Sequence, residues 1–345
     1  MPASVVVGGQ FGSEGKGKVA HFLASDRRAR FAVRVGGSNS GHTVISQSGR
    51  AMVFQHLPTA CLLPDVVSVL TPGNYINLPK LLEEIQWING RPERIVVDPY
   101  AWVIEKEDIQ SEKEAGLSHT IGSTASGTGA ALIRRIQRMG IGSFAKDRPE
   151  LQPYIQETAG LLTRAMKDSQ RVIIEGTQGF GLSILHSTSY PYCTSRDTIA
   201  AAFVSEAGLS PLDIDEVVLV IRTFPIRVAG RSGPLPNEID WATIAAESGH
   251  LTQVVEYTSV TQRIRRVARF DAEVVKKAIQ HNRPTCIVLN HLDYVDARCS
   301  ANAMLTDEAR RFVETVEDLI GARISLLGFG PASLSWRASA ERAVA

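Results

Sequence analysis

The feature that most constrains the fold is the alternation of short β-branched runs with stretches of helical periodicity. Eight such runs occur: SVVVG (4–8), FAVRV (31–35), VVSVL (66–70), RIVVD (94–98), RVIIE (171–175), EVVLVI (216–221), CIVLN (286–290) and RISLLG (323–328). Amphipathic stretches lie between them at 78–87, 150–167, 272–280 and 307–320. Strands that alternate with helices predict an α/β fold with a largely parallel central sheet covered by helices.

The chain is expected to form a single domain over residues 1–345 with long functional loops. Its 345 residues, 44% of them hydrophobic, suffice for one sizeable core. We find neither an internal repeat nor a low-complexity linker. The Gly- and Pro-rich segment RVAGRSGPLPNEID (227–240) is predicted to be a loop, and it is too short to separate two domains.

Charge and cysteine usage exclude several classes of protein. The formal charge is +1, so the chain lacks the basic surface of a general nucleic-acid binder. The four cysteines (Cys61, Cys193, Cys286 and Cys299) form no CxxC pair, which favours a reducing cytoplasm. The apolar runs are far shorter than the roughly 18 residues that span a bilayer, and the N-terminus does not resemble a signal peptide. We therefore expect a cytoplasmic protein without membrane or nucleic-acid partners.

Ligands of open α/β sheets bind beyond the carboxyl ends of the strands. This rule places four stretches at one edge of the sheet: residues 8–18, 36–43, 175–181 and 290–293. They are also the stretches richest in glycine and polar side chains. We expect the functional site at this edge.

The first stretch contains GGQFGSEGKGK (8–18), a glycine-rich turn suited to an anion at the start of a helix. It is not an ordinary P-loop, because five residues separate Gly9 from Gly15 and Lys16 is followed by Gly17 rather than by a hydroxyl residue. A plain glycine turn with solvated lysines and a P-loop NTPase are the alternatives at this point. A phosphate-binding loop of another kind is the favoured interpretation.

Three further stretches carry polar groups near predicted strand ends or helix starts. VGGSNSGHT (35–43) places His42 on a glycine-rich loop, where a histidine is as often functional as structural. IGSTASGTG (121–129) precedes the basic stretch ALIRRIQRMG (131–140) and suits a phosphate monoester, although those arginines equally fit a solvated helix face. EGTQGFG (175–181) offers Gln178 to a base edge.

Two downstream segments suit anionic groups. Thr194, in YPYCTSRDT (190–198), can bind phosphate. TSVTQRIRRVARFD (258–271) is rich in arginine, whose fork matches carboxylates and phosphates, so it favours an anionic substrate over a solvated run.

Taken in this order, these stretches resemble adenylosuccinate synthetases. That family opens with G-x-Q-[WF]-G-D-E-G-K-G-K, followed by G-G-x-N-A-G-H-T. The resemblance continues through RVAGRSGPLPNE, LNHLD and GFGP and covers nearly the whole chain. It implies a compact variant of that fold, like the archaeal members, and a homodimer. It also implies a ligase that joins L-aspartate to C6 of a purine nucleotide with a nucleoside triphosphate and Mg²⁺.

The resemblance also implies roles for individual residues. The catalytic set is Ser13, Lys16 and His42, and the metal ligands are Ser13 and Gly41. The nucleotide and phosphate contacts are Gly12, Gly15, Gly17, Lys18, Asn39, Ser123, Thr124, Arg138, Gln178, Thr194, Asn290, His291, Asp293 and Gly330. The aspartate contacts are Val260, Thr261, Gln262, Arg263 and Arg265. Arg138 matches an arginine that reaches into the neighbouring subunit.

Ser13 is the most informative departure from the family pattern, which has at this position the aspartate that removes the N1 proton of the base. A serine hydroxyl is no general base at neutral pH. The GSEGKGK form resembles the phage-encoded branch that makes 2-aminoadenylosuccinate nucleotides from dGMP. A carboxylate would grip guanine N1–H and the 2-amino group and so stabilise the 6-keto ground state. The acceptor of the N1 proton stays open between a relay through water and loss concerted with phosphoryl transfer.

The second departure is LNHLD, where the family has T-K-x-D. Asn290 and His291 replace Thr and Lys, while Asp293 remains, so ATP or dATP is expected as phosphate donor rather than GTP. Two alternatives to the dGMP ligase are an ordinary synthetase acting on IMP with GTP and a nucleotide-binding regulatory protein without turnover. Retention of Lys16 and His42 argues against the latter.

Overall fold

The computed structural model describes residues 3–140, 142–252, 254–258 and 262–342. The strands are β1 Ala3–Gly8, β2 Phe31–Arg34, β3 His42–Ile45, β4 Ala51–Phe54, β5 Val67–Leu70, β6 Tyr75–Ile76, β7 Ile95–Val97, β8 Trp102–Val103, β9 Val172–Glu175, β10 Ile214–Arg222, β11 Ile226–Arg227, β12 Glu238–Ile239, β13 Arg266–Ala268, β14 Cys286–Asn290, β15 Leu326–Gly328 and β16 Leu334–Trp336. The α-helices are α1 Lys16–Asp26, α2 Leu78–Trp87, α3 Lys106–Glu114, α4 Leu117–Thr120, α5 Thr128–Gln137, α6 Thr158–Lys167, α7 Ala200–Glu206, α8 Trp241–Ser248, α9 Ala272–Asn282, α10 Arg298–Asn302, α11 Asp307–Ile320 and α12 Arg337–Arg342.

A nine-stranded sheet forms the centre of the molecule, in the order β16-β15-β14-β10-β1-β9-β2-β5-β7. Its neighbouring strands run parallel except for β16, which pairs antiparallel with β15. All eight predicted runs are strands of this sheet, which confirms the largely parallel α/β fold. The ninth strand, β16, was not predicted. The single domain over 1–345 stays a prediction, with strands drawn from both ends of the described chain.

The continuous apolar runs form strands here because both faces of the sheet are covered. Along β1, Val5 and Val7 pack into the core on one face and Val6 into the core on the other. Helices α6, α7, α9 and α11 supply apolar side chains to the first core, and α1 supplies them to the second. A strand buried on both faces needs no polar alternation.

The predicted helices are confirmed with one correction. Helices α2 and α11 occupy the predicted ranges, and α9 extends two residues beyond its prediction. The range 150–167 is wrong as one helix: Pro149–Tyr154 is a 3₁₀ segment and α6 starts at Thr158. Pro153 provides no N–H donor for a continuing helix, and the carboxylate of Glu157 caps α6 by accepting from the backbone N–H of Gly160.

Four polar side chains end the apolar strands of the sheet. Arg34, Glu175, Arg222 and Asn290 are the last residues of β2, β9, β10 and β14, and each is at most 1% exposed. Burying such groups costs free energy unless they are paired, so their placement at this edge indicates a polar site there. Among the described residues, no helix combines the length and the apolar character needed to cross a membrane.

Candidate active site

A cavity of about 510 Å³ opens at the carboxyl edge of the sheet. The predicted site residues that line it are Gly12, Ser13, Gly15, Lys16, Gly17, Lys18, Asn39, Gly41, His42, Ser123, Thr124, Gln178, Arg263, Arg265, His291, Asp293 and Gly330. The four stretches expected at this edge therefore meet around one space.

The other predicted residues fall into two groups. Thr194, Asn290, Gln262 and Arg138 are described but do not line the cavity. The Thr194 hydroxyl oxygen lies 3.4 Å from Nδ2 of Asn39, beside the cavity wall. Val260 and Thr261 lie outside the described residues.

The glycine-rich loop is shaped by a carboxylate that turns inward. Glu14 is fully buried, and its Oε1 accepts hydrogen bonds from the backbone N–H of Gln10 (3.1 Å) and Gly12 (2.8 Å). Its Oε2 lies 2.6 Å from Nζ of Lys16, the first residue of α1. The N–H groups at the start of α1 and the Lys16 ammonium thus face the cavity together, an arrangement suited to phosphate.

Asn290 anchors this loop through its side-chain amide. Its Nδ2 donates a 2.7 Å hydrogen bond to the carbonyl oxygen of Glu14. A Cβ atom on Gly15 would lie 2.7 Å from that nitrogen, and Gly15 has φ 88°, so only glycine fits this position. The amide nitrogen of Asn290 thus positions the loop, while its Oδ1 is buried without a hydrogen-bond partner; the nucleotide contact of Asn290 stays a prediction.

His42 is held by a buried carboxylate at the end of a neighbouring strand. Nδ1 of His42 lies 2.5 Å from Oε1 of Glu175, whose Oε2 accepts 2.8 Å bonds from the backbone N–H and the hydroxyl of Thr59. Arg34 donates to the same Glu175 oxygen at 3.1 Å and contacts both ring nitrogens of His42. Because the carboxylate only accepts, the Glu175 contact favours a proton on Nδ1, which leaves the Nε2 lone pair 3.1 Å from the Arg34 Nη1 donor.

The same neighbours control the protonation of this pair. Burial, followed by the Arg34 charge, lowers the pKa of His42 to about 3. Despite its burial, the pKa of Glu175 is lowered by its hydrogen bond to His42 and by the Arg34 charge. In the ligand-free protein at neutral pH, a neutral imidazole therefore faces an ionised carboxylate.

Ser13 lies at the centre of a network of arginines. Its Oγ accepts a hydrogen bond from Nη1 of Arg265, and its carbonyl oxygen accepts one from Nη1 of Arg222 at 3.0 Å. Glu256 accepts from Nη2 of Arg222 at 2.5 Å and from the Tyr294 hydroxyl at 3.0 Å. The position that carries aspartate in the family pattern is thus a hydroxyl beside guanidinium groups.

Lys18, His291 and Asp293 form a second set of polar side chains that line the cavity. Nζ of Lys18 donates to the carbonyl oxygen of Gly330 at 2.7 Å, and burial lowers its pKa to about 8. Within the described residues, His291 Nε2 and Asp293 Oδ1 are buried without a hydrogen-bond partner. Buried polar atoms are normally satisfied, so these two are candidates for ligand contacts.

Burial of the ionised Asp293 carboxylate destabilises the folded, ligand-free protein. Desolvation raises its pKa from 3.8 to about 6, against the opposing charge of Lys18. A raised carboxyl pKa means that stability falls as pH rises from about 4 to 6 and stays reduced above that window. We expect Asp293→Asn to raise the free energy of unfolding by about 1–3 kcal/mol at pH 7.5 and to change it little at pH 4.5. Urea unfolding at both pH values measures this; a destabilised variant at pH 7.5 contradicts it.

The three arginines in and just after α5 have different surroundings. Arg134 pairs with Asp108 at 2.7 Å, and Arg135 donates to the carbonyl oxygen of Pro72 at 2.8 Å. Arg138 follows the helix in the left-handed region (φ 55°) and is exposed. The alternative of one solvated basic face is therefore wrong for the first two arginines, which are structural.

The fit of Mg²⁺ differs between its two predicted ligands. Mg²⁺ prefers oxygen ligands and is commonly bound by waters and substrate phosphates with few protein groups. Gly41 lines the cavity beside His42 and Lys16 and fits such a site. Ser13 does not fit, because its oxygen already accepts from a guanidinium whose charge repels a divalent cation. Among the described residues, no cluster of three or more His, Cys, Asp or Glu side chains could hold a metal.

Several residues that build the site were missed from the sequence: Glu14, Arg34, Glu175, Arg222 and Glu256. Three of these, Arg34, Glu175 and Arg222, share a readable signal, a charged residue at the end of an apolar run that predicts a buried parallel strand. Glu14 lies inside the glycine motif, between the predicted site residues Ser13 and Gly15. Glu256 precedes the arginine-rich segment and has no comparable local signal.

Comparison with known proteins gives matches over most of this chain. The family model for adenylosuccinate synthetase matches residues 5–145 and 141–300. The adenylosuccinate synthetase of Methanocaldococcus jannaschii is 34% identical over 338 residues, which cover 96% of this chain and 95% of that protein. The Methanococcus vannielii enzyme is 37% identical over 342 residues, with 96% and 97% covered.

Two solved structures share the fold. The succinoaminodeoxyadenylate synthetase of cyanophage S-2L, bound to dGMP and to dATP as an energy donor, superimposes with a TM-score of 0.82 at 29% identity, covering 99% of this chain and 98% of that one. The fully ligated Plasmodium falciparum adenylosuccinate synthetase gives 0.86 at 20% identity, with 98% and 100% covered. This chain belongs to the adenylosuccinate synthetase family, whose members are carbon–nitrogen ligases.

Proposed function

We propose that this protein joins L-aspartate to C6 of dGMP, with ATP or dATP as phosphate donor, to give N6-succino-2-amino-2′-deoxyadenylate. The observation that carries the proposal is Ser13, a cavity-lining hydroxyl bonded to Arg265 at the position of the family's aspartate. This hydroxyl is shorter than a carboxylate and leaves room for the guanine 2-amino group.

The residues around the cavity fit a reaction in two steps. In the first, the guanine N1 proton is lost, O6 attacks the γ-phosphorus and the bond to the leaving diphosphate breaks. Lys16 with the loop N–H groups offsets the charge on the transferring group. In the second, the aspartate amine attacks C6 and inorganic phosphate leaves. The guanidinium groups of Arg263 and Arg265 can donate paired hydrogen bonds to the carboxylates of aspartate. Mg²⁺, held by phosphate oxygens with Gly41, would supply further charge neutralisation.

His42 is proposed to donate a proton toward the transferring phosphoryl group. It is neutral in the free protein, so it must first take up a proton when the triphosphate binds. The negative charge of that ligand raises the pKa of a nearby imidazole. Glu175 then accepts from Nδ1, so the Nε2 proton is the one available for transfer.

The comparisons support two substrates. The cyanophage relative was solved with dGMP and dATP, which favours the proposed pair. The archaeal relatives are more similar in sequence, at 34% and 37%, and favour IMP with GTP as the second candidate. The unpartnered Asp293 Oδ1 and His291 Nε2 are proposed to contact the donor base. Four free cysteines are consistent with action in the cytoplasm.

A homodimer is proposed in which Arg138 reaches the partner's site. In its own chain, Arg138 is exposed and does not line the cavity. On and just after the same helix, Ile133, Ile136 and Met139 are 59%, 64% and 76% exposed. Large apolar side chains grouped on one surface favour a protein interface, and a second copy would bring Arg138 with it.

Substitution of Ser13 tests the function. The wild-type protein should form the succinylated product from dGMP, identified by mass. We expect Ser13→Asp to shift the kcat/KM ratio of IMP to dGMP at least tenfold toward IMP, because the carboxylate restores a base and grips guanine in its keto form. Asp is tolerated at the local φ of 56°. Ser189→Asp, outside the cavity, serves as a control and should leave the ratio unchanged; an unchanged ratio in Ser13→Asp would overturn the proposed role of Ser13.

A further inference from the structure

The hydrogen-bond direction at Ser13 is opposite to that of an aspartate. A hydroxyl has one proton to donate and two lone pairs to accept with. Arg265, which can only donate, occupies one of those lone pairs. The Ser13 proton is therefore available to a ligand in the cavity, whereas an ionised aspartate offers only acceptors.

The charges around Ser13 do not cancel. Arg222 is fully buried and the Arg265 side chain is 10% exposed, so both guanidinium groups are shielded from solvent. They share one carboxylate, Glu256, at 2.5 Å from Arg222 and 3.8 Å from Arg265. The Arg222 charge holds the pKa of this carboxyl at about 2, so it stays ionised. Two cations against one anion leave a positive charge beside Ser13.

The remaining groups near this network do not remove that charge. Lys16 and Glu14 form their own pair at 2.6 Å. Burial lowers the pKa of His291 well below its usual range, so it is neutral, and Tyr294 is uncharged because burial raises its pKa. Arg263 adds a further cation at the cavity wall. Opposite, Lys18 faces the raised-pKa carboxyl of Asp293.

We propose that the Arg265–Ser13 pair stabilises the N1-deprotonated, 6-oxyanion form of the bound guanine by donating a hydrogen bond to it, and that the N1 proton leaves to solvent rather than to a protein carboxylate. This inference rests on the proposed function. It makes Ser13 a donor to the reacting base and Arg265 the positioning residue that orients and polarises it.

The chemistry balances without a protein base. The N1–H bond breaks, the proton passes to water or to hydroxide, and the electron pair is shared between N1 and O6. The O6 oxyanion then forms its bond to the γ-phosphorus as the bond to the leaving diphosphate breaks. Preorganised donors aimed at a developing oxyanion are a major source of catalysis.

The proposal predicts opposite effects of serine and aspartate on the bound base. Donors and a nearby positive charge favour the anionic form of a titrating group, and a nearby negative charge disfavours it. Wild-type protein should therefore lower the N1 pKa of bound dGMP below that of the free nucleotide by at least one unit, a tenfold change in the ionisation constant. Ser13→Asp should raise it above the free value.

The test is an NMR titration of dGMP labelled with ¹⁵N at N1, bound to the protein without aspartate or triphosphate. Ser13→Gly removes the donor without backbone strain, since φ is 56° there, and Arg265→Gln removes the charge while Glu256 keeps Arg222. Both variants should move the N1 pKa back toward the free value. Leaving aspartate out keeps any role of Arg265 in binding it from affecting the result.

The outcomes separate this inference from the function beneath it. If dGMP does not bind, or is never succinylated by the complete system, the proposed function fails. If dGMP binds and is turned over, but its N1 pKa in the wild-type complex equals or exceeds the free value, the donor role of Ser13 and Arg265 is overturned while the function stands.

Discussion

Replacing His42 with Gln is expected to lower kcat for the succinylation of dGMP by about 10²- to 10⁴-fold, the range for loss of a proton-transferring group. The KM for dGMP should change much less, because the imidazole acts on the phosphoryl group during transfer. The His42 imidazole lines the cavity, and the buried carboxylate of Glu175 holds its Nδ1. Steady-state assays with the succinylated product quantified by mass measure both constants.

A matched control for this variant is His281→Gln. His281 is an exposed residue near the end of α9 that does not line the cavity, and its ring centroid lies 4.4 Å from that of His186. Its replacement should leave kcat within about twofold. If His42→Gln keeps more than a third of the wild-type kcat, the proton-donor role is wrong.

The second large effect concerns the partner of that histidine. Glu175→Gln removes the charge that pairs with Arg34 and His42 at a site where all three side chains are at most 8% exposed. An uncompensated buried charge typically costs about 3–5 kcal/mol. We expect a loss of this size in the free energy of unfolding, measured by urea at pH 7.5, together with a fall in kcat, because the imidazole exchanges a charged acceptor for a neutral amide that stabilises an imidazolium less.

The pH dependence and a control sharpen this test. The pKa of Glu175 is lowered in the folded state, so its contribution is complete at neutral pH and is lost as pH falls through the acidic range below its unfolded value of about 4.3. The gap between wild type and variant should therefore narrow on acidification. Glu247→Gln breaks an exposed pair with Arg269 and should cost less than about 1 kcal/mol. Equal losses in the two variants would show that Glu175 is not a buried anchor.

The fold was largely predictable because its main signals are local. Eight buried parallel strands appear in the sequence as apolar runs bounded by turns. Because these strands run in the same direction, their polar carboxyl ends lie at the same edge of the sheet. Strand β16 is too short and too polar to predict, since it depends on antiparallel pairing with β15 at the border of the sheet. The error over 150–167 arose from helical periodicity continuing through Pro153, which lies inside the 3₁₀ segment Pro149–Tyr154.

Residues that line the cavity could be predicted from the sequence more readily than residues that position another side chain. The glycine loop, His42 and Asp293 were found because motif and strand-end position agree. Glu256 contacts Arg222, which is 34 residues away in the sequence, and such a pairing arises only from packing. The motif gave Asn290 as a ligand contact and did not indicate that its amide nitrogen donates to the Glu14 carbonyl oxygen.

The most direct measurement of the central claim is a competition assay. Wild-type protein is incubated with equal concentrations of dGMP and IMP, excess L-aspartate, ATP and Mg²⁺, and the two succinylated products are quantified by mass from the same reaction. The ratio of initial rates equals the ratio of kcat/KM, free of differences in enzyme preparation. We expect N6-succino-2-amino-2′-deoxyadenylate to exceed adenylosuccinate at least tenfold; an excess of adenylosuccinate would contradict the account.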